Sequence, residues 1–358
     1  MEVSLISGPT RGAEGSLESR FNDVPECLTL LPTLVRPVRP WLDVMALLRL
    51  RRLFRDTQPH LVHTHSGKAG FVGRLAARWA RVPLVVHTIH GPSFGPFQGP
   101  LANAAFQRAE RLAGRYTDHF VTVSHAMTRR YLNAGIGSPR QYTRILSGFD
   151  LHPFLKAQND PALRAAFGLQ PDDLVVGTVA RLFELKGHDR LLDVAPEILH
   201  QCPRLKFLWV GDGPWRERLK KRVEHMGLGG RVVFAGLVGP ERVPALVGIM
   251  DFLVHLSERE GLPRALPQAL AAGKPVVAFD SDGAGEVCVD GQTGFLVPLH
   301  DLGQLRDRLL TLARDPALRA RMGHAGRELV APLFGEDEMV DQLHALYLRL
   351  ARETGLRI

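Results

Sequence analysis

Cysteine is scarce in this sequence: three in 358 residues, Cys27, Cys202 and Cys288, odd in number and far apart. No pair has the spacing of a metal site or a redox motif, and a disulfide scaffold is excluded. A reduced compartment, the cytoplasm, fits such a chain. Also missing is any apolar run of the roughly 18 residues that a membrane span needs. The opening MEVSLISGPTRG puts no basic region ahead of an apolar one, so no signal peptide is expected. No unit repeats with a period of roughly 20–50 residues, and no segment is of low complexity. Aromatic residues make up only 7% and do not interleave with the basic ones. With no nucleic-acid motif either, nucleic acid is not an expected partner.

What is present is an ordinary soluble composition, 45% hydrophobic and 23% charged. The length suggests two domains. The net charge of +8 is unevenly spread: residues 1–150 hold 19 Lys and Arg against 10 Asp and Glu, the remainder 26 against 27. A basic half suits an anionic membrane surface or a phosphorylated substrate.

Short apolar runs alternate with amphipathic stretches throughout. Residues 2–7, 27–32, 60–65, 84–90, 119–124 and 142–147 read as strands, with helices over 41–56, 68–80, 101–117 and 125–134. The pattern restarts with strands at 173–180, 206–211, 231–236, 251–256, 274–280 and 294–298. Such alternation predicts α/β architecture: two doubly wound parallel sheets facing a cleft. The expected domains are 1–152, 153–335 and a C-terminal helix, 336–358, packing back towards the N-domain. The stretch 149–164 reads as a hinge, neither strand nor helix. One element is missing. A doubly wound domain opens with a central strand, a Gly-rich turn and a helix. EVSLIS has no helical pattern after it, so the first domain is expected to lack its first βα unit. That would leave two inner edges unpaired.

The run EGLPRALPQALAAGKPVV, from Glu260, reads as a helix start followed by a strand. A helix N-terminus presents unpaired N–H groups and partial positive charge. Gly261 permits close backbone approach, Pro263 suits an early helical position, and Glu260 can accept from hydroxyls. Gln268, eight residues on, falls near the same helical face. The plainer reading is a helix with a Gly stop at Gly273. In VARLFELKG, Arg181 and Lys186 follow a strand, where cations can hold phosphate or be merely solvated. VGDGPW is a Gly-x-Gly turn, more a tight turn than a phosphate cradle. In VVHTIHG, His87 and His90 point to opposite faces of an extended strand. They make poor joint metal ligands, and His63 and His65 are read as having the same problem. HTHSGKAG supplies a loop, with Lys68 opening a helix. Asp280 and Asp282 in FDSDGAGEV read as turn chemistry rather than a divalent metal pair.

These segments together resemble the group-1 glycosyltransferases, glycosyltransferase family 4, with the two-domain GT-B fold. EREGLPRALPQALAAGKPVVAFDSDGAGEVCVDGQTGFLVP carries the most telling likeness. ARLFELKGHDRLLDV, WVGDGPWRERL and RVVFAGLV follow the family order. HTHSGKAGFVGRLAAR, HTIHG, VTVSHAMTRRYLNAGI and ILSGFDLHPF are similar to the polysaccharide-assembly branch. The resemblance implies a retaining hexosyltransferase moving sugar from a nucleotide sugar to a saccharide or lipid-linked acceptor, without metal or cofactor. It implies that Arg181 and Lys186 stabilise the leaving diphosphate. Glu260, Gly261, Leu262 and Pro263 then lie at the donor sugar and phosphate, Gln268 at the ribose in place of the family's carboxylate, and Leu237 and Val238 along the base. His90 falls at the reaction centre, and Ser66, Gly67 and Lys68 on the acceptor side. The expected location is cytoplasmic, peripheral at an anionic membrane. Two other readings stand beside it. The absent first unit and Gln268 favour a degenerate, non-catalytic binding protein. A nucleotide-sugar epimerase shares the architecture but fits the Glu-Gly-Leu-Pro segment less well.

Overall fold

The structure is a computed structural model that describes residues 2–9, 15–65, 67–95 and 97–356. The chain divides into two units, one of Met1–Ile145 with Asp341–Ile358 and one of Leu146–Val340.

In the first unit, β1 (Leu5–Ser7) and β2 (Leu28–Leu30) pair in parallel, Leu5 opposite Leu28. Between them the described residues form 3-10 turns at Glu18–Phe21 and Pro25–Cys27, and no α-helix. Next come α1 (Pro40–Thr57), β3 (Leu61–His65), α2 (Gly67–Ala80), β4 (Leu84–Ile89), α3 (Pro100–Gly114), β5 (His119–Thr122), α4 (His125–Asn133) and β6 (Tyr142–Arg144). Strands β3 to β6 form a parallel sheet in sequence order. Among the described residues, β1 pairs only with β2 and β3 only with β4, so the strands form two separate sheets. A single apolar cluster still underlies both: Leu31, Ala46, Leu50, Phe54, Val62, Val72 and Val85, with Ile6 of β1 packed on it. Strand β4 is buried at every position, as a central parallel strand covered on both faces must be.

The second unit opens with α5 (His152–Leu155) and α6 (Pro161–Ala166). These correct the reading of 149–164 as free of helix. Asp160 accepts from the N–H groups of Ala162 and Leu163 and so caps α6, with Pro161 at its first position. Then follow β7 (Leu174–Val179), α7 (His188–Gln201), β8 (Leu205–Val210), α8 (Arg216–His225), β9 (Val232–Gly236), α9 (Val243–Gly248), β10 (Phe252–His255), α10 (Ala265–Ala271), β11 (Val276–Phe279), β12 (Gly294–Val297), α11 (Leu302–Arg314), α12 (Pro316–Val330) and α13 (Glu336–Thr354). All six strands are parallel, in the order β12-β11-β10-β7-β8-β9. The first strand of the unit therefore lies at the centre, as doubly wound topology requires. Val176, Leu191, Ile198, Phe207, Trp209 and Phe279 form its core. Residues Asp341–Ile358, most of α13, belong to the first unit.

Candidate active site

In the second unit, β7 and β10 are neighbours, and the chain leaves them in opposite directions across the sheet. Ligands bind at such a switch point, beyond the carboxyl ends of the strands. Arg181 lies there, exposed, two residues after β7. Lys186 ends a 3-10 turn, Glu184–Lys186, and Gly187 follows with a φ of 74°. A Cβ on Gly187 would stand 2.3 Å from the carbonyl oxygen of Leu256. The missing side chain lets this loop press on the chain just beyond β10. As a result Lys186 Nζ pairs with the Glu260 carboxylate and stands 3.5 Å from Ser257 Oγ.

Glu260 is also held through its backbone. Its N–H donates to Asp282 Oδ2 at 2.9 Å, which gives Asp282 a structural task in the loop. His255 Nε2 is 3.6 Å from Glu260 Oε1, too long for a hydrogen bond but near enough for charge to matter. Burial pushes the Glu260 carboxyl up, yet His255 and Lys186 outweigh it and hold it at about 2. The switch point therefore carries a permanent carboxylate beside an ammonium. An arriving anion can take the ammonium as a point charge.

The helix does not begin at Glu260. Its first internal bond runs from Gln268 N–H to the Arg264 carbonyl, 3.2 Å, and α10 spans only Ala265–Ala271. Residues 260–263 form a lead-in loop, with Glu260 N–H engaged by Asp282, and helical periodicity does not relate Glu260 to Gln268. Gly261, Leu262 and Pro263 are buried in that loop. Gln268 is the one residue of α10 that is not buried. Leu237 and Val238 follow β9, Leu237 exposed. The Gly211-Asp-Gly213 turn has its amides engaged: Gly211 N–H donates to the Gly236 carbonyl and Gly213 N–H to Asp212 Oδ1. It behaves as a tight turn bracing the Arg181 segment.

In the first unit, His65 ends β3 and His90 follows β4, the next strand. His65 Nδ1 lies 3.0 Å from His90 Nε2. His63 and His65 share a face after all, as residues two apart on a strand do. Their rings stack with centroids 4.3 Å apart, which corrects the reading of them as facing opposite ways. His63 Nδ1 bonds Tyr347 Oη, and its Nε2 is 2.6 Å from Thr88 Oγ1. Burial, then the charges of its neighbours, lowers His63 to about 3, and burial with His90 lowers His65 to about 4. His87 lies on the other face, fully buried on Thr64 Oγ1 at 2.8 Å. Lys68, next to Gly67 at the start of α2, is held by Asp43 and by the Pro37 carbonyl at 2.6 Å. Ser66 lies outside the described residues.

Residues 159–329 match the family described as Glycosyl transferases group 1, and residues 1–147 match the Glycosyl transferase 4-like domain. The GDP-mannose-dependent alpha-(1-6)-phosphatidylinositol monomannoside mannosyltransferase of Mycobacterium tuberculosis is 30% identical over 328 residues, 87% of this chain and 80% of that protein. The chain belongs to the group 1 glycosyltransferases. This transferase is also 28% identical to the Escherichia coli UDP-Gal:alpha-D-GlcNAc-diphosphoundecaprenol alpha-1,3-galactosyltransferase, over 89% of this chain and 82% of that one. Its fold is that of Anabaena Alr3699/HepE, a crystal structure in complex with UDP and glucose. There the TM-score is 0.80 at 22% identity, covering 97% of this chain and 99% of the other. Sucrose-phosphate synthase of Thermosynechococcus elongatus gives a TM-score of 0.78 at 24% identity, covering 92% and 84%.

Within the second unit of the transferase, Lys186 and Glu260 meet directly and Arg181 shares their end of the sheet. His255 is a site residue that sequence reasoning missed, and Asp282, read there as turn chemistry, is the residue that accepts from the Glu260 N–H. The signal for His255 was its place at the end of a strand, five residues before Glu260. His65 was missed as a partner of His90. Period-2 spacing with His63 and the adjoining parallel strand could have found it.

Proposed function

We propose that the transferase moves a sugar from a nucleotide-sugar donor to a lipid-linked or saccharide acceptor in cell-surface polysaccharide or glycoconjugate synthesis, with retention at the anomeric carbon. The Lys186–Glu260 pair at the switch point carries this reading. In it the donor diphosphate takes the Lys186 ammonium, with Arg181 beside it, and developing negative charge on the leaving group is neutralised there. Glu260 then accepts from hydroxyls of the sugar. The amides of Gly261 and Leu262, beside Pro263, line the phosphate and sugar. Gln268 meets the ribose, and the backbone at Leu237 and Val238 lines the base. His90 stands at the reaction centre, with Gly67 and Lys68 on the acceptor side. The α linkages named for the two enzyme relatives support retention. Two protein cations at the phosphate support a reaction that needs no metal.

We further propose peripheral contact with an anionic membrane from the cytoplasm. No helix among the described residues is long and apolar enough to cross a bilayer. On the outward side of α1, Trp41 (75% exposed), Val44 and Leu48 form one stripe, and the exposed Arg52 and Arg55 continue it. An apolar patch running into cations suits an interfacial surface.

The test is a panel of UDP- and GDP-sugars, each with and without a polyprenyl-diphosphate-sugar acceptor, run in the presence and absence of chelator. Acceptor-dependent release of nucleotide with an α-linked product is expected, unchanged by chelator. A β-linked product would overturn retention, and loss of activity with chelator would overturn metal independence. Conversion of a nucleotide sugar without acceptor would indicate an epimerase instead.

A further inference from the structure

The imidazoles of the first unit are held more tightly than surface histidines need to be. His63 is pinned at both nitrogens, by Tyr347 of α13 and by Thr88 of β4. His65 lies face to face on it. The rings of His65 and His90 are arranged differently: centroids 5.3 Å apart, planes within 23°, nearest nitrogens 3.0 Å apart. That is the separation of two nearly coplanar rings joined edge to edge through N–H···N, not by their faces. Each layer thus fixes the next, from α13 to the residue that follows β4.

The edge-to-edge bond holds one hydrogen. If His90 Nε2–H donates to His65 Nδ1, both rings keep the Nε2–H tautomer that free histidine favours. The reverse direction needs both in the less favoured Nδ1–H form. The first arrangement also survives protonation of His90, because its imidazolium keeps the same N–H. His65 remains neutral to accept it, since burial and His90 hold its pKa at about 4.

We propose that His65 is a positioning residue for His90: it accepts the His90 Nε2–H and so fixes the plane and tautomer of that ring. The proposal rests on the reading of His90 as a reaction-centre residue. Stacked His63 holds His65 in register, so the orientation of the reacting ring is set from β3 and α13.

The test uses the full chain with isotope-labelled histidine, read by NMR across a pH series. His65 ends β3 with part of its ring in solvent, so His65→Phe and His65→Asn are expected to fold, with melting temperatures close to that of the native chain. His65→Phe keeps the ring face on His63 and removes the acceptor, whereas the side-chain oxygen of His65→Asn can stand near the lost Nδ1. In the native chain His90 is expected as a single Nε2–H tautomer. In His65→Phe it becomes a mixture and its titration midpoint falls, because a bond to the charged form is lost. His65→Asn restores both. On the donor found by the panel, kcat of His65→Phe is expected to fall about tenfold or more, with donor KM within about twofold. On a His90→Ala background the same change adds no further loss.

A mixed or Nδ1–H tautomer in the native chain would overturn the proposal, as would an unchanged tautomer and midpoint in His65→Phe. The proposal alone falls if His90→Ala is inactive while His65→Phe is fully active. If His90→Ala transfers at the native rate, the reaction-centre reading falls, and the proposal with it.

Discussion

Glu260 and Lys186 depend on each other. The side chain of each is only 22% exposed, so removing one leaves the other poorly solvated. Lys186→Met is expected to lower stability by about 1–3 kcal/mol as well as weaken donor binding, by chemical denaturation and nucleotide titration. The pH dependence has a definite sign. The Glu260 carboxyl is depressed in the folded chain from its ordinary 4.5 to about 2. Its contribution is therefore complete above the unfolded value and lost as pH falls towards 2. The stability difference between native chain and Glu260→Gln should be flat above about pH 5 and shrink below it. Any acid limb of the rate profile between neutrality and that point then belongs to another group. Gln268 supplies a second residue-scale prediction. An amide can still bond ribose hydroxyls but lacks a charge-assisted bond, worth roughly 1–2 kcal/mol more. Gln268→Glu should tighten donor binding by about fivefold to thirtyfold, and a titration showing no gain would remove Gln268 from the ribose.

Among the elements, α2 and α3 are joined by a charge pair that no periodicity announces. Arg74 is fully buried, its Nη2 2.7 Å from Glu110 Oε2 and its Nε on the Gly70 carbonyl. Breaking one side of a buried pair leaves an uncompensated charge. Glu110→Ala should destabilise the chain by about 3–5 kcal/mol, whereas the double change Arg74→Met, Glu110→Leu should cost far less. Thermal unfolding of the two variants checks this. Element type and order were readable from the chain because apolar periodicity and caps act locally. The start of α10 was not readable. Residues 260–263 are held by partners distant in sequence, Asp282 on the Glu260 N–H and Lys186 on its carboxylate, and α10 begins after them. The stretch 149–164 was misread in the opposite direction: its helices are too short to show a period, and the Asp160-Pro161 cap was the signal to weigh.

For the whole molecule, charge and thiols give measurable outcomes. The first 150 residues carry more than the whole positive excess, +9 against a net +8 for the chain. Sedimentation with anionic vesicles should therefore fall as salt rises, and Trp41→Ala should weaken it further. No sedimentation at low salt would remove the membrane proposal. Of the three thiols, Cys27 and Cys202 are partly exposed and Cys288 is buried. Burial, with Asp290 and Asp280 nearby, pushes the Cys288 thiol far up, so it should stay inert. A thiol reagent should label two cysteines in the native chain and three after unfolding. The second unit has its first strand at the centre of a six-stranded sheet, whereas the described strands of the first unit form sheets of two and four.

The sequence alone determined the alternation of strands and longer helices, that they form two α/β units, and which residue types could hold a phosphorylated sugar. Those follow from local propensity, apolar period and the chemistry of single side chains. Only the tertiary structure decided who meets whom. Lys186 and Glu260 are 74 residues apart, and His65 and His90 are 25. Parallel crossovers bring such positions to neighbouring strand ends, and nothing in either local stretch encodes the distance to the other. The partner sets the charge of Glu260 and the orientation of His90, so these properties arise only in the folded chain.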